Sequence, residues 1–302
     1  MQATDYKLNQ FEKNLFIQKY HSLCLKEQLF ADTIDSTGFL RKQITKCAYP
    51  NFVGRKIITT ASTNEAVERF PLDSKAIAYS YAEGSTTRLS GRKNQSITIK
   101  MDKYAEYAEQ WTTEFIEDAS QKTYDNIVNK AGTALGENET KTVIDLYESI
   151  EEQDLAGGDY LDQNNEIMDW TAVLKLHNAV RCENFRPNVL LLNETQLGQL
   201  LLDNRFIEYE YLSNSDVDLE STGLIRSIVG MKVESSTLVP NGTAYAIDTR
   251  NAGIMLVRRD VTLEDYSDTM SNKHGIKAST RFGLGILRST AVAKMVNIKT
   301  SI

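Results

Sequence analysis

The residues of this chain that could most readily do chemistry are its histidines and cysteines. The sequence has three of each, and one pair to consider is His177 and Cys182, which are five residues apart. On a helix, side chains three or four positions apart share a face, so a pair five apart lies on different faces. This spacing disfavours a cysteine nucleophile with a histidine base. We expect Cys182 to be a buried core thiol and His177 to be a surface imidazole.

Two further patterns resemble binding loops only in part. Gly283-Leu-Gly285 lacks the third glycine of a dinucleotide-binding loop, so it predicts a strand that another backbone approaches closely. Asp216-x-Asp218-x-Glu220 lacks the glycine and the distal glutamate of a calcium loop, so a solvated acidic loop is favoured. The cysteines are odd in number and show no C-x-x-C spacing, which disfavours disulfide and zinc frameworks. The sequence therefore predicts no catalytic residue, no metal site and no cofactor.

Length and composition are those of a soluble globular protein. The chain has 302 residues, enough for one large domain or two modest ones. Hydrophobic residues make up 41% of the chain and charged residues 25%, which argues against extended disorder. Its apolar runs are far shorter than the ~20 residues of a membrane span, and the first residues lack the apolar core of a signal peptide. We expect a protein made inside the cell that has no membrane partner.

The charge of the chain is unevenly divided along its length. The formal net charge is -7, which disfavours a protein that binds nucleic acid over its whole surface. Residues 151–256 carry 17 acidic and 7 basic side chains, a net charge of -10. The remaining residues carry 24 acidic and 27 basic side chains, a net charge of +3. This division indicates either a solvated acidic face or two regions that meet different surroundings.

The first third of the chain contains two unusual segments. Residues 1–35 have the periodicity of an amphipathic helix, which either packs within its own domain or is an arm that needs a neighbour. Residues 76–111 alternate apolar and polar side chains on both sides of the polar stretch 84–95, which predicts an extended β-hairpin. A long hairpin is marginally stable alone, so it must lie against something else. Its basic tip holds three candidates for contacts between subunits, Arg88, Arg92 and Lys93, although an exposed basic loop would have the same composition.

The remaining residues predict helices mixed with strands. A long helix is expected from about residue 113 to 135, ending at Gly136, which gives a rod of ~35 Å. Asp169 and Asn193 are expected to cap two helices on either side of a buried strand at 189–192. Short strands and turns follow from Leu224, and strands dominate from Ala252 to the end. The predicted fold class is α+β.

This order of elements resembles the major capsid proteins of tailed phages and archaeal viruses, whose fold is named after the Hong Kong ninety-seven phage. Thr113-Glu-Phe-Ile-Glu-Asp-Ala119 resembles the start of the family's spine helix. The segment 223–243, with a glycine, a valine strand, serines and a proline turn, resembles part of its axial domain. The segment 276–293 resembles its closing peripheral strands. The resemblance covers roughly residues 60–298, and it depends on the order of the elements because no single motif is diagnostic.

The resemblance implies a division of the chain and a function. It implies an N-terminal arm over residues 1–60, an extended hairpin loop over 61–111, a peripheral domain with the spine helix over 112–150 and 257–302, and an axial domain over 151–256. The implied function is non-enzymatic self-assembly into an icosahedral shell around double-stranded DNA. The alternatives are an encapsulin-like nanocompartment shell and, less favoured, a soluble α/β binding module or enzyme.

The same resemblance implies partners and a location. The main partner is the chain itself, in pentamers and hexamers of a capsid. Further implied partners are portal, scaffolding and decoration proteins, and packaged DNA that is contacted weakly. The implied location is the virion, after assembly in the host cytoplasm. The ~60 residues before the hairpin include no large scaffolding segment, so the route of assembly control stays open.

Overall fold

The computed structural model describes residues 53–72, 95–112, 114, 121–203, 217–218, 224–225, 227–268 and 270–301. Its helices are α1 (Val53–Ile57), α2 (Gln121–Glu148), α3 (Trp170–Cys182) and α4 (Glu194–Leu201). Its strands are β1 (Thr59–Ser62), β2 (Val67–Leu72), β3 (Gln95–Lys100), β4 (Lys103–Thr112), β5 (Leu161–Asp162), β6 (Val189–Leu192), β7 (Val217–Asp218), β8 (Leu224–Ile225), β9 (Ser227–Ile228), β10 (Met231–Ser235), β11 (Ala244–Ile247), β12 (Gly253–Asp268), β13 (Lys273–Ile286) and β14 (Val292–Val296). The predicted α+β class is confirmed.

A four-stranded sheet of order β1-β12-β13-β4 forms the elongated part of the molecule. β12 and β13 are 16 and 14 residues long and pair antiparallel, with register shifts between Val257 and Thr262. β4 joins the free side of β13, and β1 lies parallel to the start of β12. The predicted strand-rich end of the chain supplies the two central strands.

α2 is the long helix that the sequence predicts, but its end lies well beyond Gly136. The helix continues to Glu148, so the predicted stop at Gly136 is wrong. Gly136 is buried inside the helix, and the apolar period resumes after it at Val143, Ile144 and Tyr147. Burial of this second apolar stretch outweighs the ~1 kcal/mol that a mid-helix glycine costs. The 28 residues span ~42 Å.

One face of the four-stranded sheet packs against α2, and this core continues into the second sheet. Alternate side chains of β4 and β13 face the helix, among them Ala105, Ala278 and Phe282. The same cluster includes Leu191 and Tyr245 from the second sheet. A continuous apolar core therefore joins the two sheets at the C-terminal end of α2.

The second sheet has six strands in the order β5-β14-β11-β6-β10-β9. All four residues of β6 are buried because α3 and α4 cover one face of this sheet and the shared core covers the other. The two predicted helix caps are confirmed. The Asp169 carboxylate accepts from the Ala172 backbone N–H at 2.8 Å, and the Asn193 side chain accepts from the Thr195 N–H at 3.0 Å.

A two-stranded ribbon of β2 and β3 is the hairpin that the structure describes, and its arms differ from the predicted ones. β2 pairs with β3 so that Val67 opposes Lys100 and Leu72 opposes Gln95. The predicted single arm over 97–111 is wrong, because the residues after Met101 form β4 and pair with β13. Alternation alone could not separate them, since both strands carry the same two-residue period. The predicted first arm near residues 77–81 lies outside the described residues.

No helix in the described part of the chain is long and apolar enough to cross a membrane.

Candidate assembly surface

The ribbon is seated on the face of the four-stranded sheet that is turned away from α2. Gly283 and Gly285 of β13 form the seat. A Cβ added to Gly283 would stand 2.5 Å from the Lys100 carbonyl oxygen, and one added to Gly285 would stand 2.5 Å from Cδ1 of Ile99. At Gly283 the backbone of the ribbon leaves no room for a side chain, and at Gly285 the space is filled by the Ile99 side chain. The close approach predicted from Gly283-Leu-Gly285 is confirmed.

A small apolar cluster holds the base of the ribbon to this seat. Ile99 and Met101 are buried against Ile254 and Leu256 of β12, with Phe70 partly buried beside them. The anchoring residues alternate along β3, so the other side of the ribbon is free, and Val67 there is 43% exposed. The sheet thus fixes where the ribbon begins and the direction in which the chain leaves it.

The predicted contact residues lie beyond this base. Arg88, Arg92 and Lys93 belong to the segment between β2 and β3 and lie outside the described residues. Their role in contacts between subunits therefore stays a prediction.

α1 anchors the point at which the chain enters the described structure. The Gly54 backbone N–H donates to Oγ1 of Thr140 at 3.1 Å, and an added Cβ would stand 3.0 Å from Cα of Thr140. The Arg55 guanidinium donates to both carboxylate oxygens of Glu139, at 2.6 and 2.9 Å, and to Asp260 at 3.3 Å. These contacts join α1 to α2 and β12.

Burial and pairing have opposite effects on the pKa values of Arg55 and Glu139 in this anchor. Glu139 is fully buried, and burial raises the pKa of its carboxyl although Arg55 opposes the rise. Burial tends to lower the pKa of the Arg55 guanidinium, but the two carboxylates outweigh it and raise the pKa overall. The pairing offsets much of the cost of placing both charges in the protein interior.

Three tyrosines near α2 and the sheets form hydrogen bonds through their hydroxyls and have raised pKa values. The Tyr147 hydroxyl donates to the Ile57 carbonyl at 2.8 Å, and burial raises its pKa far above the ordinary value. Burial also raises the pKa of Tyr245, whose hydroxyl lies 3.4 Å from Oε1 of Glu148. On β4, burial and a short hydrogen bond to Glu109 raise the pKa of Tyr107 to about 12.

Beyond the ribbon, the sheet face turned away from α2 carries charged side chains and is partly covered, since Ser279 there is fully buried and Lys277 and Arg281 are half-buried. The side chains of Lys277, Ser279 and Arg281 on β13 lie on this face, and each of these residues pairs with a residue of β12 on one side and of β4 on the other. Lys277 pairs with Glu106 at 3.2 Å, and Tyr104 at the edge is 50% exposed. Sequence reasoning missed this face because it treated β4 as a hairpin arm. The alternation of β13 in Lys277-Ala-Ser-Thr-Arg281 is the signal that could have indicated it.

The residues considered for catalysis are not brought together. Cys182 is a free, exposed thiol at the end of α3, so the prediction of a buried core thiol is wrong. The helix ends at this residue, which removes the neighbours that would have covered it. Among the described residues, no three His, Cys, Asp or Glu side chains are grouped so that they could hold a metal ion.

One polar depression of 650 Å³ lies at the β5 edge of the six-stranded sheet. Asp162 is its single carboxylate, and this group already accepts from the Asn164 backbone N–H at 2.8 Å. The other polar side chains that line it carry amides or hydroxyls, as Asn241 and Thr243 do. No histidine, cysteine or lysine of the described ranges lines the depression, so its lining shows no pairing of a nucleophile with a histidine base.

Sequence comparison finds no family model that matches the chain and no curated protein that resembles it. Comparison with solved structures finds a consistent fold. A protein of Mycobacterium phage Che8 is 15% identical and has a TM-score of 0.62 over 83% of this chain and 92% of that one. The capsid of Cyanophage P-SCSP1u is 12% identical, with a TM-score of 0.61 over 80% of this chain and 86% of that one.

A third match is an encapsulin. The SrpI encapsulin of Synechococcus elongatus PCC 7942 is 12% identical, with a TM-score of 0.56 over 85% of this chain and 90% of that one. Together these matches show that the chain has the phage capsid protein fold of the Hong Kong ninety-seven type, as the order of elements predicts.

Proposed function

We propose that this chain is a major capsid protein that assembles with copies of itself into an icosahedral shell around double-stranded DNA. The observation that carries the proposal is the fold, which matches capsid proteins over four fifths of this chain and most of theirs. On this proposal the protein is structural and has no catalytic residue.

The ribbon supports the proposal on physical grounds. Among the described residues of the ribbon, Ile99 is buried in the apolar cluster on the sheet and Phe70 and Ile97 pack against it, whereas Val67 on the other side is 43% exposed. A two-stranded ribbon is marginally stable without a surface to cover it. A neighbouring copy would supply that surface in an assembly, and the basic tip with Arg88, Arg92 and Lys93 would then contact it.

The division into an arm (1–60), a hairpin loop (61–111), a peripheral domain (112–150 and 257–302) and an axial domain (151–256) is part of the proposal. On this proposal the four-stranded sheet belongs mainly to the peripheral domain and the six-stranded sheet to the axial domain. Four strands cross the proposed boundaries: β1, β4 and the first residues of β12 pair in the four-stranded sheet, and β14 pairs in the six-stranded sheet. The proposed domains therefore share strands and a core, which suits a subunit that must keep its shape in a shell.

An encapsulin-like nanocompartment is the second candidate, and the match to the SrpI encapsulin favours it. The two candidates differ in their contents. A virion shell, located in the virus particle after assembly in the host cytoplasm, encloses DNA and uses portal, scaffolding and decoration proteins. A compartment shell encloses a cargo protein and no genome.

The deciding experiment uses the full chain produced in bacteria. We expect size-exclusion chromatography and negative-stain microscopy to show uniform hollow particles. If the protein stays monomeric under all salt conditions, a soluble binding module or enzyme is favoured instead. Production together with the neighbouring genes and analysis of the particle contents then separates DNA from cargo protein.

Weak binding to packaged DNA is a further part of the proposal. A net charge of -7 supplies no overall counterion release on binding DNA. Unassembled subunits should show no salt-sensitive binding to duplex DNA at physiological ionic strength. Micromolar binding with a steep salt dependence would favour a nucleoprotein role.

A further inference from the structure

Two arginines face each other across the central strands of the four-stranded sheet. Arg259 of β12 and Arg281 of β13 are direct partners in the antiparallel register, beside a register shift in β12. Side chains of directly opposed residues point to the same face, and like charges in this position destabilise a sheet. The pair lies on the face turned away from α2, because alternation places Arg281 on the opposite side from Phe282.

Both guanidinium groups are held in place by neutral partners. Nη2 of Arg259 donates to Oγ of Ser279 at 2.9 Å, and Nε of Arg281 donates to the Met101 carbonyl at 3.0 Å. Arg281 also lies over the ring of Tyr104, with Cζ 5.1 Å from its centre. A guanidinium has five N–H donors, so these contacts orient the two groups and leave most donors unused.

Within the described part of the chain, no carboxylate pairs with either arginine. Two acidic residues at neighbouring positions are already engaged: Asp260 binds Arg55 at 3.3 Å, and Glu106 binds Lys277 at 3.2 Å. Oriented, unpaired arginines are suited to a carboxylate, which they can bind through two parallel N–H···O bonds.

Part of the site is accessible to a macromolecule. Arg259 is exposed and Arg281 is half-buried, and Tyr104 and Tyr266 on the same face are each about half exposed. The ribbon covers this face at Gly283 and Gly285. Arg281, paired with Arg259, is the next residue of β13 whose side chain points to the same face. The pair therefore lies where the covered part of the sheet meets the open part.

We propose that the Arg259–Arg281 pair binds a carboxylate of a second copy of this chain. The inference rests on the proposed shell function. A second copy has the complementary charge, since the chain has 41 acidic and 34 basic side chains and its residues 151–256 carry a net charge of -10. Nucleic acid fits less well, because Glu106 and Glu264 share the face and would repel a line of phosphates.

The first test is charge reversal. The double variant R259E/R281E should fold, with a melting temperature close to that of the parent, and should lose at least nine tenths of the particle yield. The matched double variant R259K/R281K keeps both charges and should retain at least half of the yield. R181E changes an exposed arginine at the end of α3 and should assemble normally.

The second test identifies the partner and does not depend on the stability of the charge-reversed variant. Particles are assembled from equal amounts of unlabelled and ¹⁵N-labelled R259K chains and treated with a carbodiimide, which joins lysines to carboxylates in contact. Mass spectrometry should find Lys–carboxylate cross-links at position 259 that join labelled to unlabelled peptides. Cross-links confined to single chains, or none at this position, would overturn the inference.

The remaining outcomes are also decisive. Normal particles from R259E/R281E overturn the inference and leave the shell function intact. Normal particles that have lost their nucleic acid overturn it in favour of a phosphate site. If the parent chain itself does not assemble, the proposed function fails and this inference fails with it.

Discussion

Arg55 and Glu139 form a buried ion pair that joins two segments 84 positions apart in the sequence. The guanidinium donates to both carboxylate oxygens, at 2.6 and 2.9 Å, and the Glu139 side chain is fully buried. The pair holds the entry of the chain, at α1, to the middle of the longest helix. It therefore fixes α1 against the body of the subunit.

We expect loss of one partner of this pair to destabilise the subunit strongly. The R55M variant leaves the Glu139 carboxyl buried without its guanidinium, which should cost about 3 kcal/mol of unfolding free energy at neutral pH. The double variant R55M/E139L removes both charges and should be closer to the parent. Urea unfolding followed by circular dichroism measures both. Equal losses from the single and the double variant would contradict a coupled pair.

The pH dependence of the R55M variant tests the same pair independently. Burial raises the pKa of Glu139, and removing Arg55 removes the interaction that opposes this rise. An acid with a raised folded-state pKa contributes stability below its unfolded pKa and loses it as the pH rises through the folded pKa. The deficit of R55M relative to the parent should therefore be smaller at pH 5 than at pH 8. A deficit that grows on acidification would show that Glu139 stays ionised.

Alanine substitutions at Gly283 and at Gly285, the two glycines of the seat, should destabilise the protein to different extents. In G283A the new Cβ meets the Lys100 carbonyl at 2.5 Å, so the backbone of the ribbon must shift, at a cost of about 2 kcal/mol. In G285A the nearest atoms belong to the Ile99 side chain, which can rotate, so the loss should be smaller. Thermal unfolding of both variants provides the comparison. The further substitution I99V should restore part of the loss in G285A and none in G283A.

The tip of the hairpin should be needed for assembly and dispensable for folding. Replacing residues 84–94 with a short turn, or changing Arg88, Arg92 and Lys93 to glutamate, leaves the described core intact. We expect a cooperative melting transition near that of the parent, while closed shells disappear from electron micrographs. Regular shells in normal yield would show that the tip is not a contact between subunits. A variant that cannot fold would place the tip in the core.

Assembly should be favoured by moderate salt or divalent cations. If residues 151–256 gather around the capsomer axes, their charge of -10 per copy creates repulsion between neighbours. Salt screens such repulsion beyond ~10 Å at 0.1 M. Particle yield measured by light scattering should rise from low to moderate ionic strength. A steady fall over this range would indicate that attractive charge pairs dominate instead.

At alkaline pH, the buried tyrosines should ionise only when the protein unfolds. The folded state raises the pKa of Tyr107 to about 12 and raises that of the buried Tyr147 further. Because the neutral hydroxyl is favoured in the folded state, its contribution is present below the unfolded pKa near 10 and is lost as the pH rises. Absorbance at 295 nm should show a first group of exposed tyrosines, then a second group that titrates together with the loss of circular dichroism. Complete titration near pH 10 with the fold intact would contradict this.

The local signals in the sequence determined much of this structure. Asp169 and Asn193 mark helix starts because their short side chains satisfy free N–H groups there, and this chemistry depends only on neighbouring residues. The paired glycines Gly283 and Gly285 indicated a close backbone approach for a similar reason. The order of helices and strands was sufficient to predict the capsid protein fold, since that order limits the topologies that can bury the apolar faces.

Tertiary structure decided the features that depend on distant partners. α2 passes through Gly136 because its second half is buried against both sheets, a gain that no local window contains. Residues 97–111 divide between the ribbon and the main sheet because β13 offers a partner to β4, whereas alternation is the same for either pairing. The Arg55–Glu139 pair forms only when segments 84 positions apart meet, and Arg259 opposes Arg281 only because the register of β12 shifts beside it, so charge patterning along the chain could not reveal either pair.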